Sequence, residues 1–147
     1  MEQDSENYLP KEILKKASVR GNEYAWKKED LIDVILSAKK NRLASIGGQV
    51  QFRFPDGCCE LYWINFDSDD KSEDEPWDEY VARTADEVIN KFERVNQEFN
   101  FIDEGYNSFQ FLKHKVDNDR VALEDYLCFV MYFNDENTYY KLFDDEI

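Results

Sequence analysis

The 147-residue chain carries 33 acidic and 18 basic side chains, which gives a formal net charge of −15. This length allows one domain with a substantial core. Aromatic residues make up 16% of the chain and argue against intrinsic disorder, because large apolar side chains favour collapse. A surface this negative repels nucleic-acid phosphates and anionic membranes, so we expect neither as a partner. It favours fast association with a strongly basic protein.

The sequence contains no apolar run near the length of about 18 residues that a membrane span needs. Residues 1–9 have neither the basic nor the apolar segment of a secretion signal, so we expect a loose leader there and a cytoplasmic location. Cys58, Cys59 and Cys128 leave one cysteine unpaired in any intramolecular scheme. This odd count favours a reducing compartment and free thiols.

Three helices are predicted from apolar spacing and end signals. Pro10 suits the first turn of a helix that extends to about Val19. A second helix covers residues 28–41, where basic side chains crowd the last turn. Thr84 and Glu87 have the capping-box spacing, in which each side chain bonds the other residue's backbone N–H, and a long apolar stripe follows. The stripe consists of Ala85, Val88, Ile89, Phe92, Val95 and Phe99.

Two hairpins are predicted from alternation and turn residues. Residues 50–54 alternate in polarity, residues 55–57 read Pro-Asp-Gly, and residues 58–66 form the second strand. Residues 126–133 and 138–143 predict another hairpin, whose exposed aromatics would allow two chains to pair weakly at a sheet edge.

The remaining segments complete one architecture. Residues 109–115 fit a strand or a short helix, and residues 144–147 are expected to fray. The Gly47-Gly48 pair indicates a positive φ or a close backbone approach. We therefore predict a single α+β domain over residues 1–147, with helices packed on a mainly antiparallel sheet.

The sequence offers little catalytic or metal-binding apparatus. His114 is the only histidine and lies between two lysines without a nucleophile motif, which is typical of a surface residue. The cysteines lack zinc-ligand spacing, and Ser72 stands where a calcium loop starting at Asp67 needs glycine. We expect no enzyme activity, no cofactor and no metal site, and the sequence leaves open whether the acidic loop binds cations weakly. A small enzyme that uses two of the many carboxylates is a third hypothesis.

The most unusual feature is an acidic loop at residues 67–76 that leads into two aromatics. From Asn65 to Tyr80, eight acidic residues and one lysine leave a charge of −7. Tyrosine and tryptophan are frequent interface hot spots, and charges around them steer encounter. The predicted partner-binding residues are Asp67, Asp69, Asp70, Glu73, Asp74, Glu75, Trp77, Asp78 and Tyr80. In the alternative interpretation the loop is simply solvated and its aromatics anchor it to the core.

A family resemblance rests on two short stretches. Tyr24-Ala25-Trp26 precedes the second helix, and residues 44–50 read Ala-Ser-Ile-Gly-Gly-Gln-Val at the start of a strand. This pattern resembles a family of immunity proteins from bacterial polymorphic toxin systems, although Gln49 stands where that family has aspartate. The resemblance implies a small cytosolic protein that binds and neutralises a cognate toxin domain. It also implies that Trp26 and the two glycines form the fold and do not bind the partner.

We therefore expect an immunity protein that neutralises a basic toxin domain, such as a nuclease, by stoichiometric binding of its acidic surface. The alternative is a DNA mimic or anti-restriction protein, whose carboxylates replace phosphates and which inhibits several DNA-binding proteins. An immunity protein instead binds one partner.

Overall fold

The computed structural model describes residues 5–144, except for the side chains of Phe143 and Asp144. Five strands form one antiparallel sheet in the order β1-β2-β5-β3-β4. The strands are β1 (Ser18–Arg20), β2 (Glu23–Trp26), β3 (Ala44–Phe54), β4 (Gly57–Asn65) and β5 (Leu127–Asn134). The α-helices are α1 (Lys11–Leu14), α2 (Lys28–Lys40), α3 (Trp77–Glu98), α4 (Phe101–Ser108), α5 (Gln110–Asp117) and α6 (Glu136–Asp144). The predicted α+β class, with a mainly antiparallel sheet, is confirmed.

The main core lies between the sheet and the helices. Alternate residues of β3 and β5, such as Phe52 and Phe129, are fully buried against Phe92 of α3 and Leu31 of α2. The other face of the sheet carries a smaller cluster of strand residues only, with Cys128 and Val130 at its centre. This layering follows from the period-two alternation of the strands, which directs neighbouring side chains to opposite faces.

The first hairpin and the second helix are confirmed. β3 and β4 pair from Phe54 and Gly57 outward, across the predicted Pro-Asp-Gly turn. Helix α2 ends one residue before the predicted boundary, with Lys39 and Lys40 in its last turn. Trp26 is 1% exposed, and its indole N–H donates to the carbonyl oxygen of Ile13 at 2.9 Å.

The predicted helix over residues 10–19 is wrong beyond its first turn. Helix α1 spans four residues, and Ser18–Arg20 instead pairs with Glu23–Trp26 around Gly21, whose φ is +60°. The glycine supplies the left-handed conformation that a tight hairpin turn requires, so the hairpin competes successfully with the helix. The predicted loose leader is also wrong for residues 5–9, because Ser5, Glu6 and Leu9 are buried. Residues 1–4 lie outside the described part.

The capping box at Thr84 is also wrong, because α3 begins seven residues earlier, at Trp77 after Pro76. The Thr84 hydroxyl lies inside the helix, where it donates to the carbonyl oxygen of Tyr80 at 2.8 Å and accepts from the N–H of Ser45 at 3.1 Å. It therefore joins α3 to β3. The apolar stripe predicted for this helix does face the core, with Ala85 and Val88 fully buried.

The second hairpin is wrong as well. β5 lies between β2 and β3 in the middle of the sheet, and residues 136–144 form α6. Asp135 starts this helix, because its carboxylate accepts the backbone N–H of Thr138 at 3.1 Å. Two chains therefore cannot pair through β5, because β2 and β3 already occupy both of its edges. Residues 110–117 adopt the helical alternative, and residues 145–147 of the predicted frayed tail lie outside the described residues.

Candidate partner-binding surface

The first residue of the acidic loop, Asp67, lies directly against β3. The backbone N–H of Gly48 bonds to the carboxylate of Asp67, and a Cβ at Gly47 would overlap both the carboxylate and the backbone of Asp67. Gly47 has a φ of +140°, and a Cβ at Gly48 would overlap the carbonyl oxygen of Val130. Loss of solvent raises the pKa of Asp67 above its ordinary value. The Gly-Gly pair therefore has the close-approach role that the sequence predicts, and it seats the first residue of the loop.

Arg83 of α3 holds the middle of the loop. Its guanidinium donates to the Glu75 carboxylate at 2.7 and 2.9 Å and to Glu87 at 2.8 Å. It also donates to the backbone carbonyls of Asp69 and Asp70 at 3.3 and 3.2 Å. Because one planar group with several fixed donors engages the loop at three residues, the loop has a defined conformation despite its charge.

These contacts shift the acidity of the groups involved. The Arg83 guanidinium lowers the pKa of Glu75 below its ordinary value. Burial raises the pKa of Glu87, but hydrogen bonds from the Asp69 N–H and from Arg83 outweigh it, so the pKa of Glu87 is also lowered. Both glutamates are thus held ionised, and the pKa of Arg83 is raised in return.

Trp77 and Tyr80 are not at the surface, contrary to their predicted role as partner anchors. They are 4% and 3% exposed and form a small core with Ala44 and Val81. The Trp77 indole N–H donates to the carbonyl oxygen of Arg42 at 2.9 Å, and burial raises the pKa of Tyr80 to about 12. Burial of these large rings against the end of the sheet stabilises the fold more than their exposure to solvent would. The two aromatics therefore anchor the loop to the core, as the alternative interpretation has it, while partner binding by the carboxylates of the loop stays a prediction.

The predicted carboxylates divide into paired and unpaired groups. Glu75 pairs with Arg83, Asp78 pairs with Arg42 at 2.9 Å, and Asp69 lies 4.0 Å from the ammonium of Lys91. Asp70, Glu73 and Asp74 are exposed and form no ion pair with any described residue. Asp67 has no ion pair with the described residues either, but its carboxylate accepts the Gly48 N–H, so Asp70, Glu73 and Asp74 are the charges that the folded loop leaves available to a partner.

A groove separates the acidic loop from α6. One part of about 380 Å³ is lined by Asp69, Asp70, Tyr80 and Tyr139 among others, and a neighbouring part of about 310 Å³ lies between Glu73 and Tyr140. The ammonium of Lys71 lies 5.6 Å from the centre of the Tyr140 ring. The loop, the groove and α6 together present acidic and aromatic groups on one surface.

Sequence reasoning missed the exposed aromatics that the structure reveals. Tyr62 and Trp63 of β4 are 76% and 38% exposed, and Tyr140 and Leu142 of α6 are 42% and 45% exposed. Neighbouring aromatics in one strand normally point to opposite faces, so the adjacent Tyr-Trp pair was the signal available in the sequence. The exposed side chains of α6 were missed because residues 138–143 were predicted to form a strand.

The thiols and the remaining polar residues support no metal site. Among the described residues, no group of three His, Cys, Asp or Glu side chains could hold a metal ion. Cys58, Cys59 and Cys128 are free, and burial raises the pKa of Cys128 to about 11. His114 is exposed. Within the described part of the chain, no helix has the length and apolar character needed to cross a bilayer.

Comparison with known proteins gives no relative for this chain: no protein-family model, no curated protein and no solved structure matches it. The function is therefore inferred from the surface itself.

Proposed function

We propose that this protein is an inhibitory binding protein of the immunity type, which neutralises one basic toxin domain, such as a nuclease, by stoichiometric contact. The observation that supports this proposal most directly is the fixed acidic loop. Arg83 and Gly48 hold its backbone and its first carboxylate, while Asp70, Glu73 and Asp74 remain exposed and form no ion pair with the described residues.

A fixed acidic loop suits an inhibitor for an energetic reason. Ordering a flexible loop on binding costs conformational entropy, and a loop that is already ordered avoids that cost. Exposed carboxylates then accelerate encounter with a basic cleft through long-range attraction. The resemblance of residues 24–50 to immunity proteins points to the same function.

The first prediction concerns the three unpaired carboxylates. In the triple variant Asp70→Lys, Glu73→Lys and Asp74→Lys, the association rate with the toxin should fall about 10-fold or more at low salt, and its salt dependence should flatten. The candidate partner for the test is the polypeptide encoded immediately upstream, and the measurements are co-purification, rescue of growth and stopped-flow association. Stability should change little, because none of the three side chains has an ion pair to lose.

The matched control is Asp33→Lys, Glu93→Lys and Glu124→Lys, which reverses three exposed acids outside the loop and makes the same change in net charge. If both triple variants slow association equally, net charge steers the encounter and the loop has no special role. A stable one-to-one complex without rescue of growth would contradict neutralisation. Inhibition of several unrelated DNA-binding proteins would instead favour the DNA-mimic hypothesis.

A further inference from the structure

β4 is an outer strand that lacks the basic residues and proline found at many sheet edges, although an irregularity interrupts its pairing with β3 between Glu60 and Asn65. It lies at the end of the sheet, and among the described residues its backbone pairs only with β3. Its nine residues include no lysine, arginine or proline, the residues that commonly discourage an added strand. β1, at the opposite edge, has three residues and ends at Arg20. One of the two edges is therefore open to an incoming strand.

An irregularity in β4 turns two neighbouring aromatics outward. Its register against β3 shifts between Gln49 and Gln51, and both Tyr62 and Trp63 reach solvent. Their rings meet edge to face with centroids 5.1 Å apart, and Phe109 stacks on Trp63 at 6.0 Å. Trp63 is thus held against Phe109, and Tyr62 contacts Trp63 from the solvent side. Rigid exposed aromatics of this kind are typical binding hot spots.

The charge of the molecule selects the kind of strand that fits this edge. Glu60 is the only charged residue of β4, and the acidic loop starts at Asp67, just beyond the strand. A second copy of the chain brings another −15 and is repelled, whereas a basic segment is attracted. We propose that the outer edge of β4 binds an extended basic segment of another protein as an added strand, with Tyr62 and Trp63 contacting its side chains.

This inference goes beyond the proposed function, because the binding surface is β4 and no toxin is required. Main-chain hydrogen bonds along β4 supply affinity, and alternate side chains of the added strand supply specificity. One lysine or arginine of the added strand lies opposite Glu60, whose carboxylate also accepts from the Gln51 amide at 2.7 Å, and the aromatic pair covers the apolar part of the segment.

The test uses a synthetic peptide of alternating lysine and valine, and the same peptide with every backbone amide N-methylated. Both peptides have the same charge, but only the first can pair with a strand. We expect the first to bind, to protect the amides of residues 57–65 from hydrogen exchange and to change the fluorescence of Trp63, since Trp26 and Trp77 are buried. The methylated peptide should bind about 10-fold more weakly or worse.

Two double variants locate the contact. Tyr62→Ser with Trp63→Ser should weaken binding of the unmethylated peptide about 10-fold. Tyr8→Ser with Leu36→Ser removes two exposed apolar side chains that lie outside β4, the acidic loop and α6, and should leave peptide binding unchanged. The comparison of the two peptides on the unmodified protein remains decisive if the β4 variant fails to fold.

Three outcomes would overturn the inference. Equal binding of both peptides, or protection confined to residues 67–76, would mean that charge alone binds them. Protection of residues 57–65 that grows with protein concentration in the absence of peptide would mean that a second copy occupies the edge. None of these outcomes bears on the proposed function, which is measured separately with the Asp70, Glu73 and Asp74 variants.

Discussion

Gly47 and Gly48 connect the sheet to the acidic loop at the scale of single residues. Gly47 combines a positive φ with direct contact to Asp67, so a side chain there meets both backbone strain and overlap. Gly21 also has a positive φ, yet a Cβ at this position meets nothing within 4 Å. Substitutions at the two glycines therefore separate the free-energy cost of a positive φ from the free-energy cost of steric overlap.

We predict that Gly47→Ala lowers the free energy of unfolding by about 3 kcal/mol, because strain and displacement of Asp67 add together. The control Gly21→Ala should cost only about 1 kcal/mol, from the left-handed conformation alone. Urea unfolding measures both values, and hydrogen exchange at residues 67–70 reports whether the loop loosens. Equal losses in the two variants would contradict a role for Gly47 in seating the loop.

At the scale of elements, α6 depends on an N-terminal cap that also joins the two ends of the described chain. The Asp135 carboxylate accepts from the Thr138 N–H at 3.1 Å and from the Ser5 hydroxyl at 2.7 Å. The Ser5 hydroxyl in turn accepts the backbone N–H of Asp135 at 3.1 Å. Burial opposes ionisation of Asp135, but these donors outweigh it and lower the pKa of Asp135.

Asp135→Ala should therefore cost about 2 kcal/mol of stability, from loss of the cap and of the partner of Ser5. Amide exchange over residues 136–142 should accelerate more than exchange in α2. Asp135→Asn keeps an oxygen acceptor for the cap and should retain most of the stability. If the asparagine variant is as unstable as the alanine variant, the charge of Asp135 matters more than its capping geometry.

At the scale of the whole molecule, stability against acid depends on the charge network around Arg83. The pKa values of Glu75 and Glu87 are lowered from 4.5 in the folded state, so the folded protein favours their ionised forms. Their contribution to stability is complete above pH 4.5 and is lost as the pH falls through the folded pKa values. Protonation of the many exposed acids relieves self-repulsion over the same range, so a comparison of variants is needed to isolate the network.

Arg83→Met provides that comparison. At neutral pH it should lower the free energy of unfolding by about 2 kcal/mol, because charged hydrogen bonds to two glutamates and to the loop are lost. The difference from the unmodified protein should shrink as the pH falls below about 4.5, where the glutamates become protonated in both proteins. Arg94→Met, at an exposed position of α3, is the control and should cost little. A difference that stays constant with pH would assign the loss to packing.

Local signals were sufficient for several elements. The Pro-Asp-Gly turn and the alternation before it predicted the β3–β4 hairpin, and apolar spacing with a basic end predicted α2. The strand predicted over residues 138–143 is wrong, because the prediction relied on tyrosines and a phenylalanine that favour strands by composition. The cap at Asp135 and the packing of Tyr139 on Trp77 make this segment helical instead. Such contacts join residues far apart in sequence, so no local pattern contains them.

The acidity of the molecule, the α+β class and the position of the acidic loop could be predicted from the amino-acid sequence, because these depend on composition and on short-range periodicity. Tertiary structure decided which side chains of that loop face solvent. Trp77 and Tyr80 turn inward because a core site at the sheet end is available to them, and Arg83 pairs with Glu75 because the fold brings them together. The fold also exposes both Tyr62 and Trp63, because a register shift against β3 turns two neighbouring side chains toward solvent.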